Sequence, residues 1–141
     1  MSDKYSVERN SNYTISIKDR TGKSLSFRDI TGNDLEYLER YFDKEGALSA
    51  DDIINILEHI NVSGVPIKRL TPRVIKEVFE IVAKEIFCNF IPKFKWLEIC
   101  YALQNNSFVA LGFFESQPMT KVMAMIQVHQ NAIAEMKKPQ K

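Results

Sequence analysis

The stretch Thr71–Phe90, TPRVIKEVFEIVAKEIFCNF, constrains this chain more than any other. Thr71 has N-cap chemistry: its hydroxyl accepts a hydrogen bond from a free backbone N–H of the first turn. Pro72 follows at the first helical position, where its missing N–H costs nothing. Val74, Val78, Val82, Ile86 and Phe90 then recur every four residues, Ile75 and Phe79 form a second row, and Ile81 widens the face. So broad an apolar face predicts a central helix contacted on more than one side. Each fully buried Val, Ile or Phe contributes roughly 1.5–3 kcal/mol, so this helix is expected to supply much of the core. Glu80 and Lys84 form a favourable i,i+4 pair on the wetter side, and Pro92 predicts the stop.

Around this helix the chain reads as mainly α with a little β (α+β): a bundle of about five helices carrying a small N-terminal β-hairpin. Residues 1–12 are polar and are expected to be flexible. In the hairpin, Ile15 and Ile17, then Leu25 and Phe27, alternate with polar residues, and Gly22 supplies the turn. Thr31 opens the first helix, with Asp34 as a short-armed capping-box partner and Leu35, Leu38, Tyr41 and Phe42 as its stripe. After Gly46, Ser49 caps a second helix carrying Ile53, Ile56, Leu57 and Ile60, so the two read as a helical hairpin. Asp51 and Asp52 suit the positive end of that second helix. Asn61–Leu70 is a surface-crossing connector. Phe94–Leu103 reads as another helix. Phe108–Phe114 is ambiguous between strand, buried loop and exposed patch, with core packing the default. Pro118 starts the last helix, on which Met119, Val122, Ile126, His129, Ile133 and Met136 form a short heptad-like seam. Packing of that seam on the chain's own core is favoured over a coiled coil. Residues 13–136 thus form a single domain, followed by a basic tail at 137–141.

With 141 residues the chain is long enough to bury a real core. No apolar run approaches the roughly 20 residues needed to span a bilayer, and the N-terminus lacks the apolar segment of a secretory signal. An intracellular setting is therefore expected, which makes the Asn-x-Ser/Thr triplets at Asn12, Asn61 and Asn105 chance matches. The net charge of +1 hides a split: residues 31–60 hold two bases against eight acids, while 61–141 hold eleven bases against six acids. This is either a solvated acidic face or a charged surface for self-association or a partner.

Catalytic chemistry is not indicated, and the chain reads as a non-enzyme without metal or cofactor. Cys88 and Cys100 lack metal-ligand spacing and read as buried free thiols. His59 and His129 fall at packing positions on helices. Tyr41–Asp52 has a glycine where a calcium loop needs one, yet Tyr41 stands where the first carboxylate belongs, and Asp43 and Glu45 are too few oxygen ligands. The second helix carries no Lys or Arg, unlike a nucleic-acid recognition helix, so nucleic acid is not an expected partner.

Three stretches share a wider pattern: Phe27-Arg-Asp-Ile-Thr-Gly-Asn-Asp-Leu-Glu-Tyr-Leu38, Lys95-Trp-Leu-Glu-Ile-Cys-Tyr-Ala-Leu-Gln-Asn-Asn-Ser-Phe108 and Pro118-Met-Thr-Lys-Val-Met-Ala-Met-Ile-Gln-Val-His129. Together they resemble small tail and baseplate-assembly proteins of T-even-like contractile-tailed bacteriophages, in the style of the baseplate-hub and tail-chaperone group. The resemblance runs from Phe27 to the C-terminal helix and carries no catalytic residues. It implies a virion or assembly component, present in the host cytoplasm during assembly or in the virion tail, with phage tail, hub or tube proteins as partners. The expected contact residues are Phe108, Leu111, Phe113 and Phe114, then Met119, Met123 and Ile126 on the Met-rich seam, and Asp43, Asp51 and Asp52 at the acidic turn.

Overall fold

The computed structural model of the chain describes residues 4–42 and 46–136. Three antiparallel strands, β1 (Tyr5–Arg9), β2 (Thr14–Asp19) and β3 (Ser24–Arg28), lie in the order β1-β2-β3. The helices are α1 (Leu35–Phe42), α2 (Ala50–Ile60), α3 (Pro72–Glu85), α4 (Lys93–Leu103), α5 (Leu111–Glu115) and α6 (Met119–Met136). The mainly helical architecture is the one expected, with one strand and one helix more.

The additional strand, β1, corrects the expectation of a flexible segment for Tyr5–Arg9; residues 1–3 of that segment lie outside the described residues. The strand pairs along β2 with Val7 opposite Ile17. Its side chains are mostly exposed, and only Tyr5 and Val7 alternate with polar residues, too short a pattern to read as a strand. Polar contacts to α3 also tie it down. Lys4 pairs with Glu77 at 3.2 Å, the Tyr5 hydroxyl donates to Glu77 at 2.7 Å, and Arg9 pairs with Glu85. The β2–β3 hairpin is as expected, with Ile15, Ile17 and Phe27 buried. Asp19 Oδ1 accepts from the Thr21 N–H at 2.9 Å and the Lys23 N–H at 3.0 Å, and Gly22 takes φ +89°.

The helix starts follow the caps in the sequence. Thr31 N–H donates to Asp34 at 2.7 Å ahead of a 3-10 turn, Gly32–Asp34, that runs into α1. Ser49 and Asp52 cap α2 reciprocally, each bond 3.1 Å. Thr71 accepts from Val74 N–H at 3.3 Å, with Pro72 first in α3. The α3 helix buries Ile75, Val78 and Val82 as its spacing requires. It stops at Glu85, short of the expected Phe90, because the chain tightens into a 3-10 turn at Phe87–Asn89. That turn carries Phe87 and Phe90 against Phe42, with ring centroids 5.4 and 4.8 Å apart. It also leaves Cys88 exposed, against expectation; Cys100 is buried, and both thiols are free.

The expected α1–α2 hairpin is opened out. Its helices meet through the Tyr37–His59 stack, but α2 packs mainly on α3 and α1 on α4. Trp96 of α4 is fully buried, and a Cβ placed on Gly32 would overlap its indole ring. The sheet and α6 are joined by Asp29, which is buried. Its Oδ1 accepts from Ile30 N–H at 2.9 Å and its Oδ2 from Thr120 N–H at 2.8 Å, while Met119 N–H donates to the Ile30 carbonyl at 2.7 Å. A carboxylate from the end of β3 thereby satisfies the start of α6.

Candidate protein-contact surface

The segment from α4 to α5 is where apolar side chains reach solvent together. The sequence of α4, KFKWLEICYAL, is apolar around nearly its whole circumference. Only one side can face the core, taken by Trp96 and Cys100, so Phe94 (74% exposed) and Tyr101 are left outside. At the end of α4 the chain reverses through Asn105 and Asn106, both left-handed at φ 55° and 64°. Asparagine tolerates that conformation better than other non-glycine residues. The reversal is braced: Asn106 N–H donates to the Tyr101 carbonyl at 2.8 Å, Ser107 Oγ to the Gln104 carbonyl at 2.9 Å, and Ala110 N–H to the Gln104 side-chain oxygen.

This braced loop presents Phe108 and Val109. The Phe108 ring lies 5.0 Å from that of Tyr101, and Val109 is 94% exposed. Phe113 is also exposed, whereas Leu111 and Phe114 pack against the core. Core packing, the default for Phe108–Phe114, therefore holds only for its inner face. The short α5 helix divides the segment, with Leu111 and Phe114 three apart on the inner side and Phe113 outside. Lys93 crosses to Glu115 at 3.2 Å and to the Gly32 carbonyl at 3.4 Å, fixing α5 against the body.

The Met-rich seam is two surfaces rather than one. Met119 is fully buried and Met123 and Ile126 pack against the core, so Met119 is corrected from a contact residue to a core residue. The Asp29 cap draws the first turns of α6 into the body. Beyond Ile126 the helix leaves it: Val128, Ile133 and Met136 are exposed. At the acidic turn, Asp51 is exposed, while the Asp52 carboxylate accepts from Ser49 N–H. Asp43 lies outside the described residues. The exposed apolar side chains of α4, the loop and α5 are thus Phe94, Tyr101, Phe108, Val109 and Phe113; Tyr101 and Phe108 are in ring contact, and Phe94, Tyr101 and Val109 were missed by the contact expectation. The signal for Phe94 and Tyr101 was present in the lack of any polar side on α4.

A second arrangement is polar. Asp34 is buried and receives two bonds from Arg28, at 2.7 and 2.9 Å, and one contact from His59 Nε2 at 2.8 Å. Burial pushes its carboxyl up, but the Arg28 hydrogen bonds, the Thr31 N–H, the Arg28 charge and His59 outweigh this and hold it at about 2. His59, expected only to pack, stacks on Tyr37 at 4.2 Å, and Arg40 lies over the same Tyr37 ring, 5.0 Å from its centroid. This cluster locks the β3–α1 corner to the end of α2. The Thr31 hydroxyl also donates to Asp34 at 3.2 Å, so every partner of the carboxylate comes from a neighbouring element and the cluster reads as a structural joint. Among the described residues no three of His, Cys, Asp and Glu are placed to hold a metal ion, and no helix is long and apolar enough to cross a membrane.

No protein-family model, curated protein or solved structure matches this chain.

Proposed function

We propose that this chain is a non-enzymatic tail or baseplate assembly component of a contractile-tailed bacteriophage, acting through protein–protein contacts. The observation that carries a contact role is the exposed Tyr101–Phe108 ring pair at a braced loop, with Val109 94% exposed beside it and Phe94 and Phe113 exposed on the flanking helices. Contiguous exposed aromatic side chains are costly on an isolated protein and are enriched at the centres of interfaces. A loop already fixed by its own hydrogen bonds loses little conformational entropy when a partner covers it. The choice of a phage partner rests on the resemblance of Phe27–Leu38, Lys95–Phe108 and Pro118–His129, the second of which contains this ring pair.

On this reading the partner is a tail, hub or tube protein of the same virus, met in the host cytoplasm during assembly. The partner supplies an apolar surface over Phe108, Val109 and Phe113. Lys93–Glu115 and Lys95–Glu98, paired at 3.2 and 3.6 Å, stand near it in sequence as polar rim candidates. The test is affinity purification of the tagged chain from infected cells, followed by mass spectrometry. Recovery of tail, hub or tube proteins is expected. Recovery of host regulatory proteins alone, or of nucleic acid lost steeply with salt, would replace this reading with a cellular adaptor.

A further inference from the structure

A cavity of about 460 Å³ opens between the β2–β3 hairpin, the connector after α2 and the start of α3. Its size falls in the range of about 300–1,000 Å³ typical of ligand pockets. Apolar walls come from Ile17, Leu25, Leu70, Val74 and Val78. The Tyr5 ring adds to them, its hydroxyl being taken by Glu77 at 2.7 Å. Two cations, Lys23 and Arg69, stand on the lining. Apart from the pull of Lys23 on Asp19, neither side chain makes an ion pair or hydrogen bond among the described residues. The lining also holds Asp19, which the hydrogen bonds from Thr21 and Lys23 keep ionised, so two cations face one carboxylate and the rim is positive by a single charge.

The backbone adds a third property. The carbonyl of Lys23 and the N–H of Asp29 bond inward to β2 and its flank, so by alternation Ser24 and Ser26 direct their backbone groups to the outer edge of β3. The carbonyl of Ser26 is taken there by Val62 N–H at 3.0 Å. The chain then turns away through Gly64, at φ +79°. Ser24, on the cavity wall, keeps an outward N–H and C=O without a backbone partner among the described residues.

We propose that this cavity binds the C-terminal end of a peptide chain whose last residue is large and apolar. The extended backbone pairs with Ser24, continuing the edge that Val62 begins. The last side chain enters the Ile17, Leu25 and Val78 walls. The terminal carboxylate meets Lys23 and Arg69. Edge pairing for affinity, a pocket for one side chain and cations for a carboxylate are separate recognition devices, and here they share one site. A free fatty-acid-like anion would use the walls and cations but not the strand edge. None of the lining residues belongs to α4 or α5, so the site stands or falls independently of the aromatic surface.

The test uses the full chain and fluorescein-labelled hexapeptide mixtures, randomised at the first five positions and ending in Leu, Phe, Lys or Asp, each as acid and as amide. Fluorescence anisotropy should show saturable binding of the Leu and Phe acids, weakened at least about tenfold in the amides, because a charge-assisted hydrogen bond is lost. Arg69→Ala and Lys23→Ala, both at exposed positions, should each weaken the acids while leaving the thermal midpoint in place. Val74→Trp, which fills the cavity, should abolish binding. Equal binding of acid and amide, indifference to both cation variants, absence of saturable binding, or binding of decanoate in preference to the peptides would each overturn the proposal.

Discussion

Arg28 on the last residue of β3 grips Asp34 at the start of α1 with both guanidinium nitrogens, at 2.7 and 2.9 Å, and His59 from the end of α2 closes on the same carboxylate. Three elements that also share the apolar core are thus fixed to one buried charge. A buried carboxylate is tolerable only when so satisfied, and removing one partner of such a pair is strongly destabilising. The corner is therefore a sensitive polar point of the fold.

The carboxyl of Asp34, held at about 2 in the folded chain, lies near 3.9 when unfolded, so the folded state favours its ionised form. A depressed acid contributes stability that is complete above the unfolded value and is lost as pH falls through the folded one. The contribution is about 2–3 kcal/mol, disappearing between roughly pH 5 and pH 2. Urea midpoints across that range should fall for the wild type and fall less for Asp34→Asn, which is already weakened at pH 7. Equal pH slopes for the two would show that Asp34 is not the responsible group.

Gly32 is fixed by Trp96, since any Cβ at that position overlaps the indole. Gly32→Ala should cost about 1–3 kcal/mol by forced repacking. Tryptophan fluorescence should shift with it. Gly46→Ala, where an added Cβ meets nothing, tests backbone strain alone because its φ is +88°. A Gly32→Ala protein as stable as wild type would mean that α4 sits farther from the Gly32 turn.

Asp29 is the acceptor for Thr120 N–H across the join between sheet and α6. Asp29→Ala leaves the Ile30 and Thr120 amides without it and should cost about 1–3 kcal/mol. Amide exchange should quicken at Met119 and Thr120 before it quickens in α3. Uniform acceleration throughout the chain would instead indicate that Asp29 supports the whole core equally.

The seam on α6 separates core from surface in a testable way. Met119→Asp buries an unpaired charge and should unfold the chain or cost several kcal/mol, of the order of 3–5. Val109→Asp sits at an exposed position and should change stability by no more than about 0.5 kcal/mol, while Asp51→Lys, in the first turn of α2, should cost about 1 kcal/mol through the helix end and leave the chain folded. Of these two, Val109→Asp alone should reduce partner capture. Loss of capture in Asp51→Lys would return the acidic turn to the interface.

Burial explains what could be read from the sequence. Thr71, Pro72 and the Val78–Val82 spacing determine α3 because its apolar face meets the core and its cap is local. Ser49 and Asp52 determine the start of α2 in the same way. The β1 strand escaped because its apolar pattern is only Tyr5 and Val7, while its ladder with β2 and its polar contacts to Glu77 and Glu85, some seventy residues away, cannot be read locally. The aromatic surface was half legible: Phe108 and Phe113 were in view, whereas Phe94 and Tyr101 were read only as part of a helix with no side assigned, and Trp96 and Cys100 take its inner side. Met119 was misplaced because a heptad spacing cannot say how far along a helix the body of the protein reaches. That limit is set by Asp29, which lies on another element.

The most direct measurement of the contact role compares capture by the wild-type chain and by a Phe108→Asp, Val109→Asp double variant from infected cells, with cross-links mapped from Lys93 and Lys95. Wild type should capture a tail, hub or tube protein cross-linked to those lysines, and the folded double variant should lose it. Equal capture by the two, or cross-links confined to the sheet side of the molecule, would contradict a role for the α4–α5 surface.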